Sequence, residues 1–297
     1  MLIRTLSAIV GAGLWLAICF GGALIFAGGI TILTALATYE FVTAYRRALA
    51  VERNAGSGAQ TLPTDTWLNP AIAWCGVAWP LLASGVSRGR FGSVQTYALL
   101  LALLVGLFAV RVPIAARTGQ PLGRFRALYG LVALGYIGLL FSSFVLVRGL
   151  PGRLVVPPLG AADRGAWLML FVSACVWATD TFAYLVGRAL GRRKLALSLS
   201  PGKTIEGALG GLLGAVLVGG LLGLWIGLPP VHGLAVGAIA GVIGQVGDLF
   251  ESALKREIGI KDFGAIMPGH GGALDRFDSL LFVAPIAFLY LRCLVGV

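Results

Sequence analysis

SALKREIGIKDFGAIMPGHGGALDRFD, residues 252–278, is a polar island between two apolar segments. It carries four of the chain's twelve acidic residues, four Lys/Arg, one of its two histidines and five glycines. Just upstream, GVIGQVGDLFE (241–251) adds Gln245, Asp248 and Glu251 to an otherwise apolar run. At about 100° per residue, Gln245, Asp248, Glu251, Ser252 and Lys255 fall within an arc of roughly 120°. A helix with one wet face therefore runs straight into a Gly-rich, charged loop. One ionised residue at the centre of a bilayer-spanning helix costs roughly 2.5–3.5 kcal/mol. Several unpartnered carboxylates would cost on the order of 10 kcal/mol, so these groups must be paired, hydrated or metal-bound.

The rest of the chain explains why such a loop is exceptional. Of 297 residues, 58% are hydrophobic and only 12% charged, against about 25% charged in soluble domains; the mean hydropathy is +0.92. These values predict an all-α, polytopic membrane protein, read as a single integral membrane domain over residues 1–297. Apolar runs of about twenty residues place nine transmembrane helices near 5–22, 24–45, 66–86, 94–110, 126–147, 165–187, 205–227, 231–253 and 279–296. The N-terminal run lacks a small-residue cleavage site and is expected to be an uncleaved first span. The stretches 52–65 and 148–165 have turn-forming composition and read as extramembrane loops.

A net charge of +11 could point to nucleic acid, but the basic residues sit in short loops between apolar segments, where anionic headgroups account for them. No nucleic-acid partner is expected. Arg4, Arg46, Arg47, Arg53, Arg111, Arg117, Arg124, Arg126, Arg188, Arg192, Arg193, Lys194, Lys203, Lys255, Arg256, Lys261 and Arg276 fall on one side of the nine-span scheme. Arg88, Arg90, Arg148, Arg153 and Arg164 fall on the other. Seventeen against five puts the N-terminus and the 252–278 loop in the cytoplasm. Cys19, Cys75, Cys175 and Cys293 each stand alone in apolar sequence, which supports neither a disulfide framework nor a zinc site.

Asp275 and Asp278, three residues apart at the start of the last span, share a helix face. As helix-start acids they would complement the dipole. With Asp248 from the preceding span they would form a hard-oxygen set suited to Mg²⁺ shared with substrate phosphates. The glycines of GAIMPGHGG (264–272) can present backbone N–H groups to an anion, and Lys255, Arg256, Lys261 and Arg276 can neutralise a polyphosphate. Together these features point to phosphoryl or nucleotidyl transfer. His270 reads as a structural or phosphate-binding residue rather than a base. SPGKTIEG (200–207) lacks the first glycine of a P-loop, since Leu197 stands there. Its simplest reading makes Ser200 an N-cap and Pro201 a first-turn residue of the seventh span, leaving Lys203 and Glu206 for a phosphate contact. Asp180, inside an apolar span, is either functional or paired with Arg188.

S-x-x-K-R, K-D, H-G-G and D-R-x-D at these spacings resemble the signature of the CDP-diacylglycerol synthases (phosphatidate cytidylyltransferases). GQVGDLFES (244–252), SPGKTIEG and TDTFAYLVGR (179–188) resemble that family's companion segments. The likeness covers roughly residues 170–297, taken as the catalytic part; before that only hydropathy speaks. Met267, Ala273 and Gly202 depart from the commoner residues, Gly202 standing where a second lysine is frequent. The resemblance implies a dimeric plasma-membrane enzyme, multi-pass and with its site facing the cytoplasm. It would make CDP-diacylglycerol and pyrophosphate from CTP and phosphatidate with Mg²⁺, for which Mn²⁺ can substitute, and there is room for a second ion. It assigns the metal to Asp248, Asp275 and Asp278, with Lys255 beside them in catalysis. Ser252, Arg256, Lys261, Asp262, His270, Gly271, Gly272, Arg276, Lys203, Glu206 and Asp180 are then expected at the substrates. The rival readings are another CTP-dependent lipid cytidylyltransferase, a lipid kinase, and a secondary transporter, which would place its polar site near midplane.

Overall fold

A computed structural model describes residues 2–54, 68–87, 97, 129–266 and 271–296. The helices are α1 (Leu2–Phe20), α2 (Ala23–Asn54), α3 (Leu68–Cys75), α4 (Trp79–Ser87) and α5 (Tyr129–Arg148, with a π-helical stretch at Ala133–Leu139). They continue as α6 (Arg164–Leu190), α7 (Ile205–Trp225), α8 (Pro230–Glu257) and α9 (Asp278–Tyr290). Among the described residues, six helical segments are long and apolar enough to cross a membrane: Ala23–Val51, Tyr129–Arg148, Arg164–Leu190, Ile205–Trp225, Pro230–Glu257 and Asp278–Val295. The spans expected at 5–22 and 66–86 correspond to the shorter apolar helices Ile9–Phe20 and Pro70–Gly85. The expected span 94–110 lies outside the described residues, except for Tyr97. The protein is thus a multi-pass, helical membrane protein.

Two antiparallel hairpins interrupt the helices. β1 (Arg153–Val156) pairs with β2 (Gly160–Asp163), and β3 (Lys194–Ala196) with β4 (Ser200–Thr204). They sit at opposite ends of α6, whose 27 residues extend about 40 Å at 1.5 Å per residue. The loop expected over 148–165 therefore contains a strand pair, and so does the connection into α7. Each hairpin ends in a helix cap. The Asp163 side chain accepts the Ala166 N–H at 3.3 Å, and Thr204 Oγ1 accepts the Gly207 N–H at 3.1 Å. Thr204, not Ser200, is the N-cap of α7, because Ser200 and Pro201 are extended residues of β4. Cap geometry needs a β-region residue immediately before the first helical turn, and Thr204 is the one with φ −123°, ψ 154°.

Small residues set the spacing of the helix core. A Cβ at Gly219 of α7 would run into the backbone of Gly233, and one at Gly237 of α8 into the backbone of Ala215 and Val216. Lipid gives helices no hydrophobic reason to associate, so close backbone approach and dispersion must do it. The opposite face of α7 carries Leu209, Leu213, Leu217, Leu221 and Leu224, all exposed.

The two ends of the bundle are held by different chemistry. At one, buried Arg148 donates to the Cys19 carbonyl at 2.7 Å and pairs with Asp163 at 2.9 Å, while Trp225 Nε1 donates to the Pro157 carbonyl. At the other end lie the β3–β4 hairpin, the C-terminus of α8 and the start of α9. All four cysteines are free thiols.

Candidate active site

α8 brings its wet face to this second end, and two polar assemblies form there. The first is closed. Lys255 Nζ stands between Glu251 Oε1 (2.8 Å, one helical turn back) and Asp275 Oδ1 (2.9 Å). Tyr136 of α5 donates to the other Glu251 oxygen at 3.2 Å. Asp275 Oδ2 accepts the N–H groups of Phe263 (3.0 Å) and Gly272 (2.9 Å), so this carboxylate ties both flanks of the signature loop together. Glu251 and Asp275 are essentially inaccessible, at 0% and 2% side-chain exposure. Burial alone would raise the Asp275 carboxyl, but the Lys255 ammonium and the loop amides outweigh it and hold the group below the usual carboxylate range. Gly271, at φ +83°, makes the turn into this arrangement in a region side chains rarely adopt.

The second assembly is open. Lys203, from β4, forms an ion pair with Asp248 of α8, both side chains about a quarter exposed. They line a cavity of about 490 Å³ with Asp180, Tyr184, Arg188, Ser200, Thr204 and Gln245. Asp180 also borders a second cavity of about 340 Å³, lined by Asp278, Arg276, Ser279, Trp15 and Trp177. The carboxylates of Asp180, Asp248 and Asp278 lie within electrostatic reach of one another and of Lys203. Asp278 sits in the first turn of α9, where its carboxylate accepts the Ser279 N–H at 2.6 Å. The suggested Asp180–Arg188 pair does not form: Arg188 donates to Tyr184 Oη at 3.1 Å.

Several sequence candidates go elsewhere. Glu206 accepts the N–H groups of Arg192 and Arg193 and the Arg193 guanidinium at 3.0–3.1 Å, which secures the β3–β4 hairpin. Arg256 donates to the Leu199 and Ile260 carbonyls, each at 3.2 Å. Lys261 and Asp262 are exposed and Ser252 is half-buried; Asp262 and Arg256 border a separate cavity of about 640 Å³ against α2. His270 lies outside the described residues.

The donor chemistry here suits Mg²⁺, a hard cation that prefers oxygen. Among the described residues, however, no three His, Cys, Asp or Glu side chains stand close enough to hold a metal ion by themselves. Lys203 covers Asp248, and Asp275 is engaged by Lys255. A divalent ion fits only if phosphate oxygens complete its coordination.

Residues the sequence reading passed over complete the frame. Trp15 of α1 donates to Ser173 Oγ at 3.2 Å and packs on Phe277 at 5.3 Å between ring centroids. Glu40 of α2 reaches the turn before Asp275. Glu40 carried a legible signal: it is the one acid in the apolar run 24–45, the same signal that singled out Asp180.

The sequence profile of the cytidylyltransferase family matches residues 2–294. A phosphatidate cytidylyltransferase of Bacillus subtilis is 42% identical over 157 residues, which is 52% of this chain and about half (54%) of that protein. One from Staphylococcus epidermidis is 38% identical over 188 residues, 62% of this chain and 67% of its own length. The uncharacterized protein YnbB of Escherichia coli is 37% identical over 201 residues, 64% of this chain and 67% of its own. With the family profile running from the first helix to the last, this chain belongs to the cytidylyltransferase family.

Proposed function

We propose that this protein transfers CMP from CTP to phosphatidate, giving CDP-diacylglycerol and pyrophosphate. The observation that carries the reading is that two cavities share Asp180 as a wall residue. One is rimmed by Lys203 and Asp248; the other runs between α1, α6 and α9 past Trp15 and Trp177. A polar nucleotide and an amphipathic lipid need such paired approaches. The relatives named phosphatidate cytidylyltransferase support the same substrates.

In this reaction a phosphatidate oxygen forms a bond to the α-phosphorus of CTP as the bond to the pyrophosphate oxygen breaks. The nucleophile is already anionic near neutral pH, so no strong general base is required. What remains is positioning and charge stabilisation of an in-line displacement. Lys203 and Arg276 would face the phosphates, and Lys255, held by Glu251 and Asp275, would fix the loop that presents them. Asp248 and Asp278 are the acids best placed to share Mg²⁺ with phosphate oxygens; Asp275, which the family signature also assigns to the metal, is held by Lys255 and two loop amides and orders the loop. Bound there, Mg²⁺ would offset charge on the leaving pyrophosphate, and Mn²⁺ would serve in its place. A second ion would need further phosphate ligands.

The positive-charge tally supports a cytoplasmic N-terminus and a site on the cytoplasmic face of the plasma membrane, with nine spans once 94–110 is included. We take residues 1–297 as one integral domain working as a homodimer, with 170–297 carrying the chemistry. Ser252, Lys261, Asp262, His270, Gly271 and Gly272 are kept as substrate-side candidates on the family signature alone, since the Gly272 N–H is taken by Asp275 and Asp262 borders the cavity against α2. The test is purified protein with Mg²⁺, phosphatidate and CTP labelled at either the α- or the γ-phosphate. Transfer of α-label into lipid, with release of γ-label as pyrophosphate, is expected. Entry of γ-label into lipid would establish a kinase instead.

A further inference from the structure

The signature loop is seated by a residue far from it in sequence. Glu40 is 4% exposed, inside α2. Its Oε2 accepts the Ala273 N–H at 2.8 Å and the Leu274 N–H at 3.4 Å. Those amides open the 3₁₀ turn Leu274–Arg276 that delivers Asp275 and leads into Asp278. The first N–H groups of a helical turn have no partner of their own, and a carboxylate there is favoured by the local dipole. The other oxygen, Oε1, is buried with no hydrogen-bond partner. Burying a carboxylate half-satisfied is costly, so this contact does not explain itself as a device for stability alone.

The loop is shaped around the same side chain. A Cβ at Gly264 or at Gly272 would collide with the Glu40 carboxylate. Beside it, Phe41 packs on Phe263 at 5.4 Å between centroids, and the Phe263 amide is itself bound by Asp275. Glu40 therefore touches both flanks of the loop that Asp275 joins; it borders the cavity against α2 and neither of the two that share Asp180.

We propose that Glu40 is a positioning residue: its carboxylate, rigidly carried by α2, sets the placement of Asp275 and Asp278 relative to Asp248. The proposal rests on the cytidylyl-transfer reading for its kinetic consequences, but its structural content stands apart from that reading. Reach rather than charge is what positions. Glu40→Gln keeps an acceptor oxygen at full length, whereas Glu40→Asp keeps the charge but is one methylene short.

The experiment compares Glu40→Gln, Glu40→Asp and Glu40→Ala in full-length protein, reading CDP-lipid formation and hydrogen exchange of the 271–277 backbone. Displacing reacting groups by about 1 Å costs on the order of 10²-fold in rate. Glu40→Asp and Glu40→Ala should therefore lose about that much kcat, with KM for CTP changed little, and their 271–277 amides should exchange faster. Glu40→Gln should stay near wild type in both. Gly272→Ala should be severe in the wild-type background and milder on top of Glu40→Ala, where space has opened. Greater activity in Glu40→Asp than in Glu40→Gln would replace positioning by a charge effect. Unchanged kcat and exchange in folded Glu40→Ala would overturn the proposal. If Glu40→Ala does not fold, the Gln and Asp variants decide by the same order. Should wild-type protein form no CDP-lipid, the functional reading fails and the exchange pattern alone judges Glu40.

Discussion

Lys255 and Lys203 are both lysines paired with aspartates within one polar end of the bundle, yet they do opposite things. Lys255 is 15% exposed between two carboxylates that are nearly inaccessible. Lys203 and Asp248 are 26% and 30% exposed and border a cavity. Removing one partner from a buried pair strands a charge and costs about 3–5 kcal/mol; in the second pair the Asp248 side chain stays open to the cavity, although Lys203 Nζ itself is covered. The closed assembly is therefore scaffold. The open one borders space in which a substrate phosphate or a metal could take over as partner.

The sharpest way to break this contrast is Lys255→Met. It leaves Glu251 and Asp275 facing each other without a cation, and we expect a loss of about 3–5 kcal/mol of stability. Thermal unfolding of purified protein measures it, and a melting temperature equal to wild type would mean the network is not scaffold. Next come Asp248→Asn and Asp278→Asn. For Asp278→Asn, at a helix start, folded stability should change by only about 0.3–1 kcal/mol, while in both variants CTP-dependent lipid labelling falls about 10²–10³-fold, some 3–4 kcal/mol of transition-state stabilisation. Near-normal turnover in either variant across a Mg²⁺ titration would remove that residue from the metal assignment.

A smaller effect sharpens the hairpin that carries Lys203. Thr204→Ala should cost about 1 kcal/mol as a lost helix cap, whereas Ser200→Ala should be neutral. Equal losses in the thermal scan would return the cap to Ser200. The smallest expected effect is with pH. The Asp275 carboxyl lies below its unfolded value, near 3.9, so its contribution is complete above that value. It is lost only as pH falls through the lower, folded value. Lowering the pH from 8 to 5 should leave the Asp275-dependent part of stability unchanged, measured as the difference between wild type and Asp275→Asn. A loss already at pH 5 would show the ammonium and amides do not hold it down.

Hydropathy, the one wet face of the helix ending near Glu257, and the family signature were all legible in the sequence, because each is written in local order. Bilayer cost makes a charge in an apolar run conspicuous whatever the fold around it, which is why Asp180, Asp248 and Lys255 are conspicuous in the sequence. Glu251 falls on that face one turn from Lys255, but its further contacts are not legible, since Tyr136 and the Asp275 that shares Lys255 come from other elements. Short-range pattern cannot tell an extended pair of β4 residues from a helix start, so Ser200 reads as a cap in the sequence and is a strand residue in the fold.

Which acid serves which assembly could be decided only by tertiary structure. Asp275 and Asp278 share a helix-like spacing, but a 3₁₀ turn and the start of α9 aim one at Lys255 and the other toward Asp248 and Asp180. Glu40 is separated by 233 positions from the amide it holds, a distance no periodicity spans. Sequence determines what each segment can bury and where polarity must be compensated, because those costs are local. Only the packed chain determines who compensates whom, because a buried carboxylate is satisfied by whichever donors the fold brings within hydrogen-bond reach.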